Sequence, residues 1–543
     1  MIKSFNRWFN DTVEVMAFDT ELRSLICAHR PLLLALGEPY HGEPAFPALR
    51  NRILETLTGE GFRSIAIESD RAAALAVDDY VQGHRDDLDL STGISHGWGA
   101  HPATRDLIDW LRAHNAGRPA SERVTFHGFD APTEIEAAPS PGSYLRELRD
   151  YLGVAAPEID DLVGEDTRWT APEIMYDAAR SPGRSPEATA LRGLAEDFRT
   201  RLYGHAPRLV KETSPRAWQH ATVLASTAIG LLTYHAAMAG PGTPSERVAR
   251  LLQTRDALMA RNLLDILAVE RDRGPLLVAA HNTHLQRGPS RWETHWEGVD
   301  YAAEWSGAGS IVATLLGDRY VFVAGSLGAS GPVGLGVPEP GVYEQRLGPE
   351  TGLFPPPAGD GLRERVTGLL GHFPLTASLV EDCDAILHIG HGPGAADAAR
   401  ISGLPGVTET RIEPGPEMPP YTWGDRFFFA GEDRMRPFAT IVGHDVPDFD
   451  ERSRLSGEGR YRLNIEVGRD EFRNLFGYGP EEFAARQHSI DFAEPDRLIP
   501  HPAYAVQGWV SVVNPGPGTA DEVTRLVERA RTRSAAREKR RER

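Results

Sequence analysis

Glu38-Pro39-Tyr40-His41-Gly42-Glu43 places two carboxylates around an imidazole at the end of the apolar run Leu32 to Leu36. A histidine between acidic side chains has its pKa raised or its tautomer fixed, and so can take a proton from water near neutral pH. The chemistry on offer is general base catalysis of hydrolysis. The same residues admit a plainer reading, in which acids at a helix start favour the dipole and the histidine only satisfies the loop. Two more apolar runs end in reactive side chains. Ser64-Ile65-Ala66-Ile67-Glu68-Ser69-Asp70-Arg71 runs into carboxylates and an arginine, and Leu277-Val278-Ala279-Ala280-His281-Asn282-Thr283-His284 opens into two histidines.

Positioning such groups is the work of strands whose charged tips converge in one crevice. Strand-like runs at Leu32 to Leu36, Ser64 to Glu68, Val124 to Gly128, Leu276 to Ala280, Ser310 to Leu316, Tyr320 to Ala324 and Ala385 to Ile389 alternate with amphipathic stretches. After the first run, Phe46, Leu49, Ile53, Leu54 and Leu57 recur at helical spacing and stop at Gly59. The order predicts an α/β fold, a mostly parallel sheet flanked by helices. A helical block from about residue 144 to 270 interrupts it as an insertion. The texture changes near Gly390-His391-Gly392-Pro393-Gly394. We expect a first domain over residues 1–393, a linker at 394–418, a small α+β domain over 419–530 and a basic tail at 531–543.

The chain has 543 residues, long enough for two or three domains. Hydrophobic residues make up 41% and charged residues 25%, which argues against wholesale disorder. A net charge of -19 argues against nucleic acid or an anionic membrane as the main partner and favours a neutral or cationic small substrate. Oligomeric state is not legible. Cys27 and Cys383 are the only cysteines, so neither a disulfide framework nor a Cys-rich zinc site is implied, and a reducing cytoplasm fits. The N-terminal residues lack a signal-peptide core, and no uninterrupted apolar run is long enough to span a bilayer.

Taken together, the motifs resemble the erythromycin esterase family. The resemblance rests on Gly37 to Glu43, Ile67-Glu68, Trp98, Leu107 to Asn115, Phe126-His127-Gly128-Phe129-Asp130, Arg255-Asp256 with Met259 and Asn262, and Ala280 to His284. It implies metal-independent opening of a macrolide lactone, with no cofactor. Carried onto this chain, His41 is the base, Glu38 and Glu43 orient it or the water, and Arg50 and Arg71 stabilise the oxyanion. Glu68, His281 and His284 complete the site, and Tyr40, Trp98 and Asp130 contact substrate. Pro39-Tyr40 stands where the family has smaller residues, so the pocket shape differs.

Rival patterns remain open at this point. Glu38, His41, His281 and His284 are residue types that bind hydrolytic zinc or manganese. Gly93-Ile94-Ser95-His96-Gly97 fits the Gly-x-Ser-x-Gly pattern of serine hydrolases, but the polar stretch before it carries no buried strand. Gly390 to Gly394 imitates a phosphate-binding turn, although Pro393 removes an amide donor. The C-terminal aromatics from Tyr421 to Phe429 read as core, and His501 between prolines as a rigid turn. That module resembles an uncharacterised actinobacterial domain family and, more weakly, MmcQ/YjbR-like domains, which implies no reaction.

Overall fold

A computed structural model describes residues 12–541 apart from 134–137, 297–298, 331–332, 334, 360, 391–393, 413–424, 432–435, 447–449 and 456–459. Beyond the first 14 residues the chain forms two compact units. The first holds Val15–Ser326 and Leu353–Leu387, and the second Leu327–Gly352 and His388–Arg543.

The first unit is built on β1 (Leu33–Glu38), β2 (Ser64–Asp70), β3 (Thr125–Asp130), β4 (Leu276–His281), β7 (Tyr320–Leu327), β8 (Gly352–Phe354) and β9 (Ala385–Ile389). A separate hairpin pairs β5 (Pro289–Trp296) with β6 (Val299–Ser306). The seven-stranded order is β3-β2-β4-β1-β7-β9-β8. The pairs β3–β2, β2–β4, β4–β1 and β1–β7 are parallel. Strand β2 is buried along its whole length, as expected of a parallel sheet covered on both faces. The order jumps from β2 to β4 and back to β1, which gathers the carboxyl ends of these three strands.

Close approach fixes that end of the sheet. Asn282 donates to the Gly325 carbonyl and accepts from the Gly325 amide, both at 2.9 Å, locking the end of β4 to β7 across β1. A side chain at Gly37 would overlap the Asn282 carboxamide, so glycine is required there.

The helical insertion has its own core. Leu145, Leu148, Trp169, Leu191, Phe198, Ala225 and Leu232 pack together from several helices. One of these, Pro215–Met238, is long and apolar enough to cross a membrane by length and composition, but most of that stretch is buried inside the protein. Ser310 to Leu316, expected as a strand, lies in the helix Ala308–Leu316. Consecutive apolar residues hid the period. Ala308 and Val312, four apart, are buried on one face, and the Ala308 amide is held by Asp256 Oδ1 at 2.8 Å.

The second unit carries an antiparallel sheet of β10 (Val407–Arg411), β11 (Arg426–Ala430), β12 (Ala439–Val442), β13 (Arg462–Glu466), β14 (Ile499–Pro500) and β15 (Trp509–Val513), in the order β10-β11-β12-β13-β15-β14. Its alternate residues Ile441, Leu463, Ile465, Val510 and Val512 form one apolar face, packed with Val523, Leu526 and Ala530 of the helix Ala520–Arg541. Residues 394–418, expected as linker, contribute the helix Ala395–Ser402 and the edge strand β10. The basic tail continues the last helix, where Arg533 and Arg537 both pair with Glu466. Phe428 and Phe429 are core; Tyr421 and Trp423 lie outside the described residues, as do His391 to Pro393 of the glycine-rich turn. His501 Nδ1 accepts from the Ala503 and Tyr504 amides at 3.0 and 3.1 Å, a turn held by its own ring.

Candidate active site

Register brings the three strand ends together. β1 sets Glu38 opposite His281, and β2 runs beside β4 on its other flank. Glu68, buried just beyond that pairing, accepts from the His281 amide at 2.9 Å. His41 Nδ1 lies 2.6 Å from Glu38 Oε1, so Nδ1 carries a proton and donates it, leaving Nε2 as the free nitrogen. Nε2 faces Glu68 Oε2 at 3.8 Å, a separation that water can bridge. The His41 side chain keeps 36% of its surface, so solvent reaches it. Burial alone would depress its pKa, but Glu68 and Glu38 outweigh burial and His284 and hold it above the ordinary value.

Behind His41 lies a buried charge network. Glu68 Oε1 accepts from Arg255 at 3.1 Å and faces His284 Nε2 at 3.3 Å. His284 Nδ1 donates to Asp256 Oδ1 at 2.8 Å, and Asp256 Oδ2 accepts from the Trp305 indole at 2.8 Å. Burial opposes charge on His284, yet Asp256 and Glu68 push its pKa up to about 10, so it stays an imidazolium. Arg255 also grips Asp130 through Nε at 3.0 Å and a second nitrogen at 2.5 Å. His96 Nε2 adds a contact to Asp130 at 3.1 Å. Trp98 bridges the two histidines, its ring centre 4.8 Å from His41 and 5.0 Å from His96.

His281 has the opposite character. Its Nδ1 accepts from the Thr283 amide at 3.2 Å, with the Thr283 hydroxyl 2.8 Å away, so its proton sits on Nε2. Apart from the Pro39 carbonyl, that buried Nε2 has no hydrogen-bond partner among the described residues. Burial, with His41 and His284 nearby, drives the His281 pKa down to about 3 against the opposing pull of Glu68 and the Pro39 carbonyl, so the ring is neutral. Its centre lies 5.1 Å from that of His41, and Phe373 packs edge-on against it at 4.9 Å. The Phe373 amide donates to the Pro39 carbonyl at 2.9 Å, fastening the His41 loop.

A cleft of about 50 Å³ is lined by His41, Glu38, Arg50, Trp98 and His101. Arg50 is buried, its guanidinium held by Asn51 Oδ1 at 2.9 and 3.1 Å. Burial lowers its pKa to about 10 while Glu38 opposes, so it remains a cation at neutral pH.

Three sequence expectations are corrected by placement. Glu43 accepts from the Ala45 amide at 3.1 Å, a helix-start contact, and is not part of the cleft lining. Arg71 turns to Asn262 and Asp265, at 2.9 and 3.0 Å, and lines a different cavity. Asp130 is fully buried with both oxygens engaged by Arg255, His96 and its neighbouring amide, leaving nothing to offer a substrate. Tyr40 packs beside Gly42 and Gly371 at the loop's edge. Ser95 Oγ accepts from the Asp70 amide at 3.0 Å and lies 3.3 Å from Ser69 Oγ, an arrangement that ties a loop down. Among the described residues no three His, Cys, Asp or Glu side chains are placed to hold a metal ion, and both His284 nitrogens are engaged by carboxylates.

Residues 57–346, more than half of the chain, match the erythromycin esterase family. The chain belongs to that family. The match starts after the His41 loop, so it is the β1–β4 register that joins that loop to the family segment. An Escherichia coli protein named erythromycin esterase type II is 24% identical over 271 residues, 47% of this chain and 61% of that relative. The chain thus spans less than two thirds of the relative's length. Two solved structures share the fold at a TM-score of 0.50. One is a Bacillus cereus protein, 18% identical over 71% of this chain and 93% of its own. The other is a mutant of the erythromycin esterase EreC in its open conformation, 17% identical over 68% of this chain and 93% of its own. Residues 396–543 match a family of unknown function, DUF6194.

Arg255 and Asp256 stand in the sequence motifs, but spacing alone gave them no role. They come from a helix in the insertion, 187 residues beyond Glu68 in the case of Arg255. Their signal was a neighbouring cation and anion in an otherwise amphipathic helix. Trp305 and Phe373 had none.

Proposed function

We propose that the protein is a carboxylic ester hydrolase that opens a macrolide or related cyclic ester with water activated by His41. The observation that carries this reading is the His41 geometry. Nδ1 is anchored on Glu38 while Nε2 stays free beside a cleft with room for a few waters. Water attacks the carbonyl carbon, and its proton passes to Nε2. As the C–O bond breaks, the same nitrogen returns the proton to the leaving alkoxide. Arg50 and the His281 Nε2–H supply donors for the tetrahedral oxyanion. Glu68, held by Arg255 and His284, keeps negative charge next to the imidazolium that forms. No step requires a cofactor or metal. Two unpaired cysteines, Cys27 exposed and Cys383 buried, support a reducing cytoplasm as its location.

Mass spectrometry of fourteen- and sixteen-membered macrolides incubated with the purified chain tests the substrate class. Addition of one water to a drug is the expected result, and a panel left intact removes the macrolide assignment. Arg50→Ala tests the oxyanion role on whichever ester reacts. A loss of about 10²-fold in kcat with KM little changed is expected, as for removal of one oxyanion donor. A selective rise in KM would make Arg50 a ground-state binding residue instead.

A further inference from the structure

Besides the His41 cleft the first unit holds a cavity of about 300 Å³ beside β3, with arginines in its wall. That volume lies at the lower end of the range of ligand pockets. Its walls come from β3, the helix Ala74–Val81, the start of the helix Pro215–Met238 and the end of the helix Pro244–Glu270. Arg71, Arg123, Arg216 and Arg273 all line it.

The carboxylates in this wall are already consumed. Glu270 takes His127 Nε2 on one oxygen at 3.0 Å and Arg273 Nε on the other at 2.8 Å. Asp78 accepts from the Phe126 amide and the Gln82 carboxamide on Oδ1, at 3.0 and 3.1 Å, and from Arg216 on Oδ2 at 2.9 Å. Arg216 and Arg71 reach outward to Asp79 and Asp265 as well. Arg123 differs. It donates only to main-chain carbonyls, those of Arg118 at 2.9 Å and Gln82 at 3.1 Å, and has no carboxylate partner among the described residues. His84 and His220 add donor capacity beside it, and Gln219 a neutral amide. A guanidinium without a counter-ion, in a cavity whose acceptors are spent, is complementary to an oxyanion. That is notable in a chain of net charge -19.

We propose that this cavity binds a small organic oxyanion, a carboxylate or a phosphate monoester, with Arg123 as its counter-ion. The His41 cleft and this cavity share no lining residue, so binding here is separate from the ester hydrolysis proposed above. Isothermal titration of the full-length chain with glucose 6-phosphate, glutarate and uncharged glucose tests the idea. Saturable binding of one or both anions below about 10 mM, with none of glucose, is expected. Preference for the phosphate or for the dicarboxylate then names the source of the oxyanion. Arg123→Gln keeps an amide for the carbonyls but removes the charge, and should raise Kd at least about tenfold. Gln219→Leu, which touches no ion pair, should weaken binding less, while His41→Ala should bind as the unaltered chain does. Absence of anion binding in the unaltered chain, or equal Kd in folded Arg123→Gln, overturns the proposal.

Discussion

His41→Ala should lower kcat for ester hydrolysis by about 10² or more with KM nearly unchanged. The expectation follows from what the imidazole touches. Its Nδ1–H is spent on Glu38, so the ring adds little to holding a substrate, and its Nε2 is placed to exchange protons. The pH profile gives the same residue a second signature. Because Glu68 and Glu38 hold His41 above its ordinary pKa, the base is protonated in more of the enzyme at neutral pH than a free histidine would be. The rate of the unaltered chain should therefore climb with pH through an apparent pKa above about 6.5. In His41→Ala that limb should vanish. Steady-state kinetics across pH 5 to 9 on a reacting ester checks both points, and turnover preserved in the variant removes His41 from the mechanism.

Much of this site is written in short stretches of sequence, because a parallel strand delivers its last residues to a fixed place. Glu38 and His281 end their strands, His41 follows β1 and Glu68 sits two residues before the end of β2, and register does the rest. Side chains whose role depends on distant partners were harder to see. Glu43 and Arg71 have the right charge in the right neighbourhood, but a helix start and an outward pair with Asp265 claim them. Asp130 has the right position at the end of β3, yet Arg255 turns it from a substrate contact into a buried anchor. The fold behaved similarly. Strands β1, β2, β3, β4, β7 and β9 appear as apolar runs, whereas the β5–β6 hairpin hides behind a polar, Trp-interspersed sequence. In the second unit the apolar alternation of β12, β13 and β15 is legible, while the edge strand β10 is only partly buried and carries no such pattern.

Arg255→Met should cost about 3–5 kcal/mol of stability in the first unit at pH 7, because it removes the cation between two buried carboxylates while keeping much of the volume. Burial by itself would raise both acids. At Glu68 the effect is outweighed by His284 and His41, with Arg255 adding to them, and at Asp130 chiefly by Arg255, so both fold with pKa values below the ordinary range. A depressed carboxylate contributes stability above its unfolded pKa, near 4, and that contribution is lost as pH falls through the lower folded value. Without Arg255 the sign reverses for Asp130, whose remaining charged neighbours are His96 and the Glu68 and Asp70 carboxylates. Its charged form then becomes a penalty that exists only where the unfolded chain is ionised. The difference between the unaltered chain and the variant should accordingly be largest near pH 7 and shrink on acidification towards pH 4. Thermal melts at both pH values check this, and a gap of equal size at the two would assign the loss to packing of the Arg255 side chain rather than to its charge. His284 keeps Asp256 in either case, so the variant should retain the imidazolium beside Glu68. Its residual hydrolysis, set against the loss in His41→Ala, then separates the charge that orders the site from the base that works in it.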